Sequence, residues 1–82
     1  MALRVRRVAA QCAQLSQLGV DLDSVRDEDS LYEAGMSSRA SVNLMLGLEG
    51  EFDIEFPDRL LRRDVFESIA SIASAIESLL RS

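Results

Sequence analysis

Two adjacent serines, Ser37 and Ser38, are the residues of this 82-residue chain that most directly suggest chemistry. They follow a polar loop that ends at Gly35 and precede an apolar-rich stretch, which predicts a helix beginning at Ser38 with Ser37 as its N-cap. A serine hydroxyl at this place has no chemistry of its own. An anionic group attached to it would be stabilised by the free N–H groups and the positive end of the helix dipole. The pattern therefore predicts a modified serine on a small helical scaffold.

The composition excludes several kinds of catalytic site. The chain has no histidine, so neither a Ser–His–Asp nor a Cys–His arrangement is possible, and imidazole ligands for zinc are missing. The acidic stretch from Asp21 to Asp29 lacks the spacing of a calcium loop, and no glycine-rich phosphate loop is present. We therefore expect a solvated acidic loop, no metal site and no enzymatic activity.

The charge balance argues against nucleic acid as a partner. The net charge is −5, with 14 acidic residues against nine basic ones, all of them arginines. Phosphate contacts need a cationic face, and the apolar content from Ser38 to Gly50 disfavours a recognition helix. We expect the arginines to lie on solvated helix faces, including both clusters: Arg4, Arg6, Arg7, and Arg59, Arg62, Arg63.

The remaining global features are consistent with a simple cytoplasmic protein. Cys12 falls on an apolar stripe, which predicts a buried structural thiol. No apolar run is long enough to span a membrane, and the N-terminus lacks the apolar core of a secretory signal. We expect one domain over residues 1–82 and a monomer.

The apolar spacing predicts an all-α bundle of three main helices and one short helix. The first helix should run from about Leu3 to Leu18 and stop near Gly19, followed by a long acidic loop over residues 20–37. A short helical turn is expected over residues 58–63, and the last helix should begin between Asp64 and Ser68, where Asp64 and Glu67 have capping-box spacing. The expected apolar positions are Val5, Val8, Cys12 and Leu15 in the first helix, Leu22, Val25, Leu31 and Tyr32 in the loop, and Ile69, Ile72, Ala73, Ile76 and Leu79 in the last helix.

The second helix, Ser38 to about Glu51, has more apolar residues than one buried face requires. One face consists of Leu44, Met45, Leu48 and Phe52. Val42 and Leu46 lie on another side, where Arg39 and Asn43 flank them. This pair could pack against neighbouring elements, or it could stay partly exposed as an apolar docking patch beside Ser38. Periodicity alone leaves both interpretations open.

The segment around the two serines resembles acyl carrier proteins. The resemblance runs from Gly35-Met36-Ser37-Ser38 through Leu48-Glu49 to the string Glu51-Phe52-Asp53-Ile54-Glu55-Phe56-Pro57-Asp58. In that family a Gly-x-Asp-Ser motif provides the serine that carries 4′-phosphopantetheine through a phosphodiester. The resemblance implies covalent 4′-phosphopantetheine on Ser38, attached by a phosphopantetheinyl transferase, with Ser37 as the cap beside it.

The sequence departs from that family's pattern at two places, and a resemblance to a narrower group of carrier proteins explains both. Ser37 replaces the family's aspartate, and Arg39, Ala40 and Asn43 begin a helix that is usually acidic. Segments 31–38, 40–47 and 52–58, with Leu60-Leu61, are similar to atypical bacterial aminoacyl carrier proteins. These carriers are charged by ligases related to the catalytic core of seryl-type class II tRNA synthetases. The resemblance implies a small amino acid, such as glycine or alanine, held as a thioester, and an unknown downstream acceptor enzyme.

Two other functions remain open on the residues alone. One is an ordinary acyl carrier of fatty acid or polyketide synthesis, and the other is a small adaptor without a prosthetic group. If the chain is an aminoacyl carrier or an ordinary acyl carrier, partners that bind acidic carriers through basic patches should bind its second helix poorly. The residues expected to bind partners are Met36, Arg39, Val42, Asn43 and Leu46.

Overall fold

The computed structural model describes residues 1–11, 15, 17 and 19–81, and these residues form helices and loops without strands. The helices are α1 (Ala2–Gln11), α2 (Ser38–Phe52) and α3 (Ile69–Arg81), with a short 3-10 turn at Asp58–Leu60 between α2 and α3. This confirms the all-α prediction, with the expected short helix reduced to a 3-10 turn. Among the described residues, no helix has the length and apolar character needed to cross a membrane.

The first helix is shorter than its sequence pattern predicts. Helix α1 ends at Gln11. Leu15 lies in a turn, and its N–H donates to the Ala9 carbonyl at 3.0 Å. That bond spans six residues, whereas an α-helix uses four, so Leu15 itself is not helical. Val5, Val8 and Leu15 are nevertheless buried, as the stripe predicts. The expectation for Cys12 falls outside the described residues.

The three helices and the long loop share one apolar core. Helix α1 packs against both α2 and α3. The loop contributes buried side chains of its own, which confirms that it is pinned to the core rather than merely solvated. The largest fully buried side chains are Val5, Leu15, Val20, Leu31, Leu44, Leu48, Ile69, Ile72 and Ile76.

The α1 arginines do more than the expected solvation of a helix face. Arg6 donates hydrogen bonds to the Leu22 carbonyl and to Asp27 Oδ1, each at 2.7 Å, and so ties the loop to α1. The guanidinium of Arg4 lies over the Phe52 ring, 4.4 Å from its centroid. The expectation was wrong for Arg6, because the sequence does not show which acceptors the loop brings to it, whereas Arg4 stays exposed as expected.

Polar contacts also join the loop to the start of α3. The Ala70 N–H donates to the Asp27 carbonyl at 2.8 Å. The cap of α3 is Ser68, whose hydroxyl accepts the Ser71 N–H at 3.1 Å, while Ser71 Oγ accepts the Ser68 N–H at 3.1 Å. The expected Asp64–Glu67 cap is therefore wrong, because the reciprocal serine pair satisfies the exposed N–H groups instead.

Candidate functional site

Ser37 and Ser38 take the positions that the sequence predicts for them. Ser37 has extended backbone angles and its hydroxyl accepts the Ala40 N–H at 3.1 Å, so it is the N-cap of α2. Ser38 is the first helical residue and is exposed. Its hydroxyl makes no hydrogen bond to any residue that the structure describes, whereas its carbonyl accepts one from Ser41 Oγ at 2.7 Å. Ser38 therefore presents a free hydroxyl at the positive end of a helix.

The chain segment that leads into Ser38 contains Gly35, whose backbone conformation is unfavourable for residues with a side chain. Gly35 has φ +114°, and a Cβ at this position would lie 3.0 Å from the Gly19 carbonyl oxygen. The next N–H, that of Met36, donates to the Leu31 carbonyl at 2.9 Å. This close packing of two loop segments holds the residues that lead into the Ser37 cap.

Met36 does not belong to the exposed surface. Only 3% of the residue is accessible, and it packs in the core with the loop and α2. The expectation that Met36 contacts a partner is therefore wrong for this structure, because its side chain lies in the core. Its role is to anchor the segment that leads into Ser37.

The side of α2 that carries Val42 and Leu46 is open to solvent. These two side chains are 50% and 55% exposed, and Arg39 and Asn43 are also exposed. The interpretation that neighbouring elements cover this side is therefore wrong. We call Arg39, Val42, Asn43 and Leu46 the α2 outer face. Its exposure is established, and its binding of partners stays a prediction.

A groove of about 400 Å³ opens beside Ser38. The Arg63 guanidinium carbon lies over the Tyr32 ring, 4.0 Å from its centroid. Arg62 Nε lies 3.3 Å from Asp64 Oδ1. The groove is lined by Tyr32, Ser38, Ser41, Val42, Met45, Leu61, Arg62, Arg63 and Phe66. Among the described residues, two arginines and no carboxylate line this groove, so the surroundings of Ser38 suit an anionic substituent.

Sequence reasoning missed this groove. Tyr32 was expected only to pin the loop, and Arg62 and Arg63 only to be solvated. The single available signal was the clustering of arginines after Pro57, which does not show that the cluster folds back against the start of α2.

Comparison with known proteins decides what kind of site this is. A family model described as a phosphopantetheine attachment site matches residues 11–76 of the chain. The chain belongs to the phosphopantetheine-bearing carrier proteins. Its cofactor is 4′-phosphopantetheine, and the free Ser38 hydroxyl, the helix N-terminus and the two arginines fit a phosphodiester.

The relatives of this carrier protein narrow the family. It is 52% identical over 68 residues to a protein named aminoacyl carrier protein from Agrobacterium fabrum, covering 83% of this chain and 82% of the relative. It also matches a chain in the crystal structure of an engineered Bradyrhizobium japonicum glycine:carrier protein ligase complexed with carrier protein from Agrobacterium tumefaciens and ATP. That match has 45% identity and a TM-score of 0.82, covering 94% of this chain and 96% of the other.

A third match is more distant in sequence. It is a chain in the crystal structure of a Bradyrhizobium japonicum glycine:carrier protein ligase complexed with its cognate carrier protein and an analogue of glycyl adenylate. The identity is 26% and the TM-score 0.74, with 94% of this chain and 96% of the other covered. Together these similarities confirm the resemblance to aminoacyl carrier proteins and the carrier fold.

Proposed function

We propose that this carrier protein holds a small amino acid, glycine or alanine, as a thioester on 4′-phosphopantetheine attached to Ser38. The observation that supports it best is the exposed, unbonded Ser38 hydroxyl at the first turn of α2, in a chain 52% identical to an aminoacyl carrier protein. The bound group supplies a thiol, which is a better nucleophile than serine and keeps its acyl cargo activated. The protein itself displays and positions that group.

The residues divide this work simply. Ser38 provides the attachment oxygen, and Ser37 fixes the first turn by accepting the Ala40 N–H. We expect no catalysis by the chain itself, since it has no histidine. A phosphopantetheinyl transferase would modify Ser38, a ligase would supply the amino acid, and a downstream enzyme would accept it.

The ligase is the partner best supported by similarity. Two of the matched structures are described as complexes of glycine:carrier protein ligases with carrier proteins. We propose that such a ligase binds the α2 outer face, because its exposed apolar residues Val42 and Leu46 lie on the same helix as Ser38, which is in the first turn of α2. Arg39 at its edge would disfavour enzymes whose docking surfaces are basic.

A charging assay tests the cargo. Holo protein is incubated with ATP, a glycine:carrier protein ligase and single amino acids, and the intact mass is measured. We expect a mass increase with glycine or alanine that hydroxylamine removes, and none without ligase. The matched reaction uses a fatty acid and an acyl-carrier synthetase. Loading by fatty acid but not by amino acids would establish the ordinary acyl carrier instead, and self-charging without ligase would refute the absence of catalysis.

Two substitutions test the α2 outer face. Leu46→Asp and Arg39→Glu should each leave the fold intact, because both side chains are exposed. Each should lower kcat/KM for ligase-dependent charging by an amount that corresponds to roughly 1–3 kcal/mol of binding free energy, as for a minor interface anchor. Leu80→Asp is the matched control, since Leu80 is 51% exposed on α3. Equal charging of all three variants would show that the ligase binds elsewhere.

A further inference from the structure

The groove beside Ser38 has a composition that attachment alone does not explain. The chain has a net charge of −5, yet the charged residues that line the groove are Arg62 and Arg63. Arg62 is offset by Asp64, at 3.3 Å. Arg63 has no carboxylate within ion-pair distance among the described residues, so the groove keeps an uncompensated positive charge.

We infer that this groove holds the prosthetic arm in the resting carrier, with Arg63 binding the phosphodiester and Val42 and Leu61 contacting the pantetheine chain. The inference rests on the proposed attachment at Ser38. It assigns to Arg63 and Tyr32, which are not part of the α2 outer face, a positioning role, and Val42 is the residue that the groove and that face share.

The stack of Arg63 on Tyr32 prepares the guanidinium for an anion. The guanidinium carbon lies over the ring, 4.0 Å from its centroid, and no carboxylate of the described residues pairs with the Arg63 N–H groups. A planar guanidinium can donate two parallel hydrogen bonds to a phosphate. Because Tyr32 packs against the core, Arg63 loses less conformational freedom on binding than an unsupported arginine would.

The rest of the groove suits the remainder of the arm. Its volume of about 400 Å³ is that of a small-molecule site. Val42 and Leu61 are 50% and 46% exposed, and so present apolar surface to the methyl groups of pantetheine. The arm would be tethered at Ser38, on the rim of the same groove, so weak contacts are enough to populate the seated state.

NMR spectroscopy tests this inference on the full chain. Apo and holo forms of ¹⁵N-labelled protein are compared after a phosphopantetheinyl transferase has loaded Ser38, and intact mass reports the loading independently. We expect amide shift changes at Tyr32, Val42 and residues 61–66, a shifted Arg63 side-chain N–H signal, and nuclear Overhauser effects between the arm's methyl groups and Leu61.

Arg63→Gln, with Arg59→Gln as the matched control, isolates the phosphodiester contact. Arg59 is exposed, lies outside the groove and carries the same charge. Arg63→Gln should lower the ratio of seated to free arm roughly tenfold, about 1.4 kcal/mol, whereas Arg59→Gln should leave it unchanged. Shift changes confined to residues 37–41 in loaded protein would overturn the inference, as would equal effects of both variants. Failure of Ser38 to gain the group would instead refute the proposed attachment.

Discussion

Gly35→Ala should destabilise the fold more than Gly19→Ala or Gly50→Ala. Gly35 has φ +114°, where an alanine costs roughly 1–2 kcal/mol. The added Cβ would lie 3.0 Å from the Gly19 carbonyl oxygen, and relieving such overpacking costs about 1–3 kcal/mol. Alanine also restricts the unfolded chain, which offsets about 0.4–1 kcal/mol. The expected net loss is roughly 1–5 kcal/mol of unfolding free energy.

Urea denaturation followed by circular dichroism measures this loss. With a slope of about 1 kcal/mol/M for a domain of this size, the midpoint should fall by about 1 M or more at unchanged slope. Gly50→Ala is the matched control. Gly50 lies in α2, and apart from the neighbouring helix backbone no described residue has an atom within 4 Å of the added Cβ, so this variant should gain about 0.5–1 kcal/mol. A Gly35→Ala protein within about 0.5 kcal/mol of the parent would refute the close packing of the two loop segments.

Two further predictions concern contacts that hold the loop and the last helix. Arg6→Gln should lower the unfolding free energy measured by urea denaturation by about 1–2 kcal/mol, because it removes the 2.7 Å hydrogen bonds to Asp27 Oδ1 and to the Leu22 carbonyl. Arg7→Gln is the control and should change it very little, since Arg7 is exposed and has no ion pair among the described residues. Equal losses in the two variants would contradict the contacts of Arg6. Ser68→Ala should lose about 1 kcal/mol of cap energy, and Ser74→Ala, on the exposed side of α3, should be neutral or slightly stabilising; a neutral Ser68→Ala would mean that the cap lies elsewhere.

Features set by near neighbours in sequence were predictable. The start of α2 follows from Ser37 as cap, because that contact spans only three residues. The apolar stripes of α2 and α3 were also predictable, since one buried face of a helix repeats every three to four residues. The resemblance from Gly35 to Asp58 added what chemistry could not supply, namely which group an otherwise inert serine carries.

Features set by contacts between distant segments were not predictable. The bond from Arg6 to Asp27 spans 21 residues, and no local pattern distinguishes Arg6 from a solvated arginine. The inward turn of Met36 and the groove beside Ser38 likewise depend on how the loop and residues 61–66 pack against α2. Exposure of Val42 was undecided in the sequence for the same reason, since it depends on what covers the helix.

The attachment of the prosthetic group to Ser38 is the central claim, and intact-mass spectrometry tests it most directly. The parent chain and the variants Ser37→Ala, Ser38→Ala and Ser41→Ala are each coexpressed with a broad-specificity phosphopantetheinyl transferase. Because the Ser38 hydroxyl makes no hydrogen bond to any described residue, Ser38→Ala should fold like the parent. We predict that only Ser38→Ala fails to gain the mass of the phosphopantetheinyl group, with Ser37→Ala modified at least in part. A Ser38→Ala protein that still gains this mass would contradict the account.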